Sequence, residues 1–120
     1  MVDSQIPTIT ASVTFIPAGE GGRVVPPRNS NLYRPHLVIG DVSQRTPVLA
    51  KDGRTLLENY LGVCFTGNGE AFLPGESSEV TLQLSYHPEV SYDQLSEGAT
   101  FTIREGGKIV GFGIVTSRTS

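Results

Sequence analysis

The residues of this chain that invite a chemical reading lie in "FTIREGGKIVGFGIV", Phe101 to Val115, where glycines and a lysine sit among apolar side chains. A phosphate-binding loop needs a first glycine five positions ahead of a Gly-Lys pair, and Ser or Thr directly after it. Here Gly107-Lys108 is followed by Ile109, and the required glycine position holds Thr102. The dinucleotide pattern is absent too, and no helix follows to supply an anion-binding N-terminus. No nucleotide site is therefore expected. Metal chemistry needs clustered ligands. The two histidines, His36 and His87, and the single cysteine, Cys64, are far apart with no ligand spacing, so no metal and no cofactor are expected. Cys64 sits in the apolar run "LGVCF", where a thiol reads as inert core, and no nucleophile elbow is present. Carboxylates such as Asp41 and Glu105 have nothing in the sequence that brings them together. The expectation is a protein that is not an enzyme, with no catalytic residues.

The elements that would position these residues are strands. From Thr8 to Phe15, Ile9, Ala11, Val13 and Phe15 alternate with hydroxyl residues, and from Glu79 to His87, Val80, Leu82, Leu84 and Tyr86 alternate with polar ones. Period-2 alternation marks a strand with one face to a core and one to water. Weaker strand candidates are Tyr33–Gly40 and Tyr60–Phe65. No helix-period run is present, and "TLLENY", Thr55–Tyr60, has room for one turn at most. Fourteen Gly and eight Pro are spread along the chain, so they read as turns between strands rather than as a linker. The main separators are Ala18–Asn31 and Thr66–Ser78. The expected class is all-β.

Within that class the glycines of the opening stretch acquire a role. A two-residue turn at Gly106-Gly107, both with positive φ, closes a hairpin. Glu105 then faces Lys108, Ile103 faces Val110, Phe101 faces Phe112 and Ala99 faces Ile114, gathering the large apolar side chains on one side. Gly111 and Gly113 then read as bends in a curved barrel wall, or as room opposite Thr100 and Thr102 for a partner; the bend is the favoured reading.

The 120 residues fit one domain, 1–120, able to bury a core without disulfides. The lone cysteine points to a reducing compartment, and "MVDSQIPTIT" has neither the basic start nor the apolar core of a signal peptide. No apolar run approaches a membrane span. A cytoplasmic protein is expected. Net charge is −3, which gives no overall electrostatic drive towards nucleic acid.

"FTIREGGKIVGFGIV" resembles the final hairpin of the third, C-terminal domain of elongation factor Tu and related translational GTPases. "GGRVVPP" is similar to that domain's Gly-Gly-Arg loop, "YRPHLVIGDVS" to its Tyr-Arg-Pro segment, and "LPGESSEVTLQLSYHPEV" to its Pro-Gly turn, next strand and His-Pro pair. The likeness runs in order from about Ile9 to about Ser117. It implies a closed antiparallel six-stranded barrel of Greek-key type. The chain departs from the family in having no GTPase domain and no second barrel, so GTP binding and hydrolysis are not expected. Asp41 to Pro74 is longer than the family stretch, so residues 44–70 read as an insertion within the domain. Lys51-Asp52-Gly53-Arg54 marks an exposed turn in it, and "LENYLGVCF" returns to the barrel as strand. In the full factor this domain contributes to binding the T-stem of aminoacyl-tRNA. The resemblance carries that role onto Arg23, Ser43, Glu105 and Gly106. Val24 and His36 depart from the bacterial pattern on that surface. Arg34 and Arg104 read as internal hydrogen-bonding groups. The expected function is a protein-interaction module with an unidentified protein partner; the alternative is an accessory RNA-binding module for tRNA.

Overall fold

The computed structural model describes residues 6–53 and 58–118. Among these described residues eight strands run in chain order: β1 (Thr8–Phe15), β2 (Arg28–Asn29), β3 (His36–Ile39), β4 (Leu61–Phe65), β5 (Glu70–Ala71), β6 (Ser77–Leu84), β7 (Thr100–Glu105) and β8 (Lys108–Arg118). Six of them close an antiparallel barrel in the order β1-β6-β4-β3-β7-β8, with β8 pairing back to β1. The protein is therefore all-β, as its alternation predicts. Closure removes the free edges that an open sheet would expose.

The clearest sequence pattern is realised along β1 and along β6 as far as Leu84. Ile9, Ala11, Val13 and Phe15 of β1 point inward, as do Val80, Leu82 and Leu84 of β6. Tyr86 does not belong to this face. β6 ends at Leu84, the chain turns with His87 N–H donating to the Leu84 carbonyl, and Tyr86 is exposed. Its ring instead covers Gly62 of β4, where any Cβ would collide with it. The separators Ala18–Asn31 and Thr66–Ser78 also hold more than turns. β2 and β5, one from each, pair as a small ribbon, and Asn29 binds the backbone of Gly67 and Gly69.

Each end of the barrel is plugged. At one end Phe15, Tyr33, Phe65 and Phe72 form an aromatic cluster, with ring centroids 4.7 Å apart for Phe15–Phe72 and 4.9 Å for Tyr33–Phe65, the tilted arrangement aromatic quadrupoles favour. At the other, Tyr92 and Leu95 fill the opening. The Tyr92 hydroxyl donates to the Gly62 carbonyl at 2.6 Å and accepts from Tyr86 N–H at 3.0 Å. Arg118 holds the same loop by donating to the Tyr92 and Leu95 carbonyls.

The β7–β8 hairpin corrects its expected register. Glu105 faces Lys108 and Arg104 faces Ile109, but a β-bulge then shifts the pairing, so Ile103 faces Gly111, Thr102 faces Phe112 and Phe101 faces Gly113. Only Gly106 of the turn pair takes positive φ, at 61°, as in a turn that needs glycine at its first central position. The bulge turns both Val110 and Gly111 inward, and Val110 O accepts from Ile16 N–H. Phe112 and Ile114 therefore point outward, with Ile114 40% exposed, while Val110 and Val115 supply the core. Gly111 and Gly113 are glycines because core side chains lie directly over them. A Cβ on Gly113 would sit 2.8 Å from Phe101 Cζ and collide with the Ser12 carbonyl; one on Gly111 would sit 2.8 Å from the Thr14 carbonyl. The wall thus needs glycine for close packing of its own interior, not as room for a partner opposite Thr102, which is buried.

Gly113→Ala should destabilise the protein by about 1–3 kcal/mol, the usual cost of overpacking. Ile114→Ala, on the outer face, should cost less than about 1 kcal/mol. Urea unfolding of both variants checks this; a larger loss at Ile114 would contradict the bulged register.

Candidate interaction surface

The outer face of β3 and β7 is not left to solvent. The chain leaves β3 at Gly40, which exchanges hydrogen bonds with Thr100, and Asp41 then builds a tight turn by accepting from Ser43 N–H and Oγ, both at 2.7 Å. These bonds, the backbone one first, lower the Asp41 pKa. From there the chain runs across the outside of the wall. Gly53 closes an exposed turn by donating to the Ala50 carbonyl, with φ of 74°; Arg54 and the start of "TLLENY" lie outside the described residues. The segment rejoins the barrel through Glu58 and Tyr60 into β4. All five β4 residues are buried, because β4 is covered on both faces.

Arg104 anchors this segment. It points outward from β7 yet is 0% exposed. Its Nε donates to Thr102 Oγ1 at 2.8 Å, its two terminal nitrogens donate to Glu58 Oε1 and Oε2 at 2.8 and 2.9 Å, and it also donates to Tyr60 Oη at 2.9 Å. A forked guanidinium–carboxylate pair of this kind is both strong and directional. Glu58 is saturated in turn, accepting from Gln44 Nε2 at 2.7 Å and from Val48 N–H at 2.9 Å. The Arg104 hydrogen bonds pull the Glu58 carboxyl down from 4.5 to about 2, against the opposing effect of burial. Arg104 is thus an internal clamp, as expected of it, and Arg34 donates to the Asn31 carbonyl.

At the aromatic end, three of the residues carried over from the resemblance come together. The Gly21-Gly22-Arg23 loop folds tightly because Gly22 lies against the Ile16 carbonyl, where no side chain fits. Lys108 Nζ donates to the Gly22 carbonyl, fixing the loop to the β7–β8 turn. Arg23 Nε lies 3.3 Å from Glu105 Oε1, and its guanidinium sits 5.8 Å from the centre of the Tyr33 ring. Tyr33 O–H donates to Glu105 Oε2 at 2.7 Å; burial, then this bond, raises its pKa. Gly106 follows at the exposed turn. Ser43 is elsewhere. It follows Gly40, which pairs with Thr100 at the opposite end of β7, a rise of about 16 Å along an extended strand. Beside the Arg23 loop lies an exposed apolar rim, Val24, Val25 and Leu32, that the sequence does not single out. "VVPP" and "NLY" carry it in plain sight, but as part of a turn-rich stretch they give no periodic signal.

Among the described residues, no group of three or more His, Cys, Asp or Glu is placed to hold a metal ion, and no helix is long and apolar enough to cross a membrane. The fold defines the class, a closed antiparallel β-barrel with a clamped outer segment. No protein-family model matches the chain.

The depressed Glu58 carboxyl makes stability depend on pH. Its contribution is fully present above about 4.5, the unfolded value, and is lost as pH falls towards about 2. Glu58→Gln should therefore lower stability at pH 7 by about 3 kcal/mol, because it leaves Arg104 buried without its counter-charge. It should also flatten the decline in urea midpoint between pH 5 and pH 2.5; an unchanged acid slope would contradict the role given to Glu58.

Proposed function

We propose that this protein is a non-enzymatic protein-interaction module that resembles the third domain of elongation factor Tu and has no GTPase activity of its own. The closed six-stranded barrel is consistent with that kinship. The segment within residues 44–70 that crosses β7 before joining β4 fits the reading of an insertion. The observation that carries the choice of a protein over RNA is that the groups an RNA would need are already engaged within the protein. Arg23 is engaged by Glu105, Arg104 is buried on Glu58, and Ser43 is bound to Asp41 at the far end of β7. A phosphate backbone is held by free cations arrayed along its path. Here Arg23 is spent on Glu105 and the Ser43 hydroxyl on Asp41, on a chain of net charge −3. A site in the cytoplasm and the absence of any nucleotide or cofactor requirement belong to the same reading.

The alternative, an accessory module that keeps part of the T-stem surface, rests on Arg23, Glu105 and Gly106 lying side by side. Fluorescence anisotropy with labelled tRNA separates the two. Binding weaker than micromolar at physiological salt is expected, together with capture of a defined protein from native lysate that survives nuclease treatment. Sub-micromolar, salt-sensitive tRNA binding that disappears in Arg23→Ala would replace the protein-interaction reading with the RNA one.

A further inference from the structure

Next to the Arg23 loop lies an open groove of about 350 Å³, walled by Val25, Pro26, Leu32 and Tyr33 and flanked by Arg23 and Arg28. Val25 is 69% exposed and Leu32 87% exposed. Two exposed apolar side chains lining one groove with a proline and an aromatic ring, with cations beside them, form a surface rather than scattered exposure. The chain that carries the walls is hydrogen-bonded to the body of the protein. Gly22 N–H donates to the Pro17 carbonyl, Phe72 N–H donates to the Pro27 carbonyl, and Arg28–Asn29 is paired to β5. Tyr33 is tied from below by the aromatic cluster and from its hydroxyl by Glu105. A preformed groove spares its occupant the cost of ordering it.

We propose that this groove binds a short acidic–apolar segment of a partner protein, an extended peptide that places an aliphatic or aromatic side chain between Val25 and Leu32 and a carboxylate on Arg28. This rests on the protein-interaction reading above and gives it a surface and a ligand chemistry. Arg28 supplies the charge that a carboxylate would meet. Its Nη1 donates to the Gly69 carbonyl at 2.9 Å, and it has no ion pair among the described residues. Its charge is thus available beside an apolar slot. Arg23, half-neutralised by Glu105, adds a weaker cation at the groove. Hydrophobic contact supplies adhesion and Arg28 supplies direction, a division typical of small recognition surfaces. A second copy of the chain is a poor occupant, because two-fold pairing would oppose concave apolar walls and bring the flanking arginines together. A nucleic acid is a poor one because, among the described residues, Arg28 is the one cation of the groove without an ion pair, and a phosphate backbone is held by several along its path.

The test is selection of a random twelve-residue peptide display library on the immobilised full chain. Enriched peptides should combine Asp or Glu with Leu, Ile or Phe. A fluorescein-labelled representative should lose at least tenfold in affinity in Leu32→Asp and in Arg28→Glu, both solvent-facing changes that should leave the thermal midpoint unchanged. Leu49→Asp, on the segment across the β-wall, should bind normally. Binding that is lost in Leu32→Asp but kept in Arg28→Glu would overturn the acidic-peptide assignment. Binding that survives both but fails in Leu49→Asp would remove the groove while leaving a protein-interaction module. A dimer in sedimentation that Leu32→Asp dissolves would assign the groove to a second copy. No enriched peptide, with tRNA bound below micromolar, would overturn the groove and the protein-interaction reading together.

Discussion

A guanidinium cannot shed its proton, so a buried arginine forces its surroundings to answer it. Arg104 sits in the wall of the barrel with no exposed surface, and Glu58 answers it with both carboxylate oxygens. The rest of the outer segment follows from that pair. Glu58 has lone pairs left, which take Gln44 and the Val48 backbone, so the chain leaving β3 must lie against the same wall. Thr102, which would otherwise face water, becomes buried and spends its hydroxyl on Arg104 Nε. Tyr60 closes the arrangement with its hydroxyl on one nitrogen and its ring 5.4 Å from the guanidinium carbon. A polar group in the outer wall thereby specifies where an otherwise irregular stretch must lie.

The same linkage of surface to interior operates at the aromatic end. Tyr33 belongs to three systems at once: its ring packs on Phe15 and Phe65, its hydroxyl holds Glu105, and its face carries Arg23. The Gly-Gly-Arg loop, the β7–β8 turn and the groove beside them are therefore positioned by the core. A recognition surface placed on such a base keeps its shape without its ligand. The clamp on β7 and the Tyr33 system meet in consecutive residues, Arg104 and Glu105, whose side chains leave the strand on opposite sides.

How much of this the sequence discloses depends on how many environments each strand faces. β1 and the body of β6 have one face in the core and one in water, so their alternation can be read directly. β4 carries no such pattern, because its outward residues are also covered: Gly62 lies under Tyr86, and Cys64 donates to the Asn31 carbonyl. The hairpin turn is legible at Gly106, but the bulge after Ile109 is not. It is bound up with the packing of Phe101 and Ile103 over Gly113 and Gly111, a contact between strands that no spacing within one strand encodes. At the surface, the resemblance singles out Arg23 and Glu105, which lie 3.3 Å apart, and Ser43, which lies towards the other end of β7, whereas the Glu58–Arg104 pair spans 46 positions and has no local signature. Val25 and Leu32 escape notice for the opposite reason, since isolated apolar residues in loops carry no period.

The most direct measurement is a double-mutant cycle between Arg104→Met and Glu58→Leu, read by urea unfolding at pH 7. Each single change strands a buried or half-buried partner, whereas the double change removes both. The clamp predicts a coupling of about 2 kcal/mol, with the double variant more stable than the sum of the two single losses allows. Additivity within about 0.5 kcal/mol would contradict it, and with it the claim that Arg104 and Glu58 hold the outer segment to the barrel.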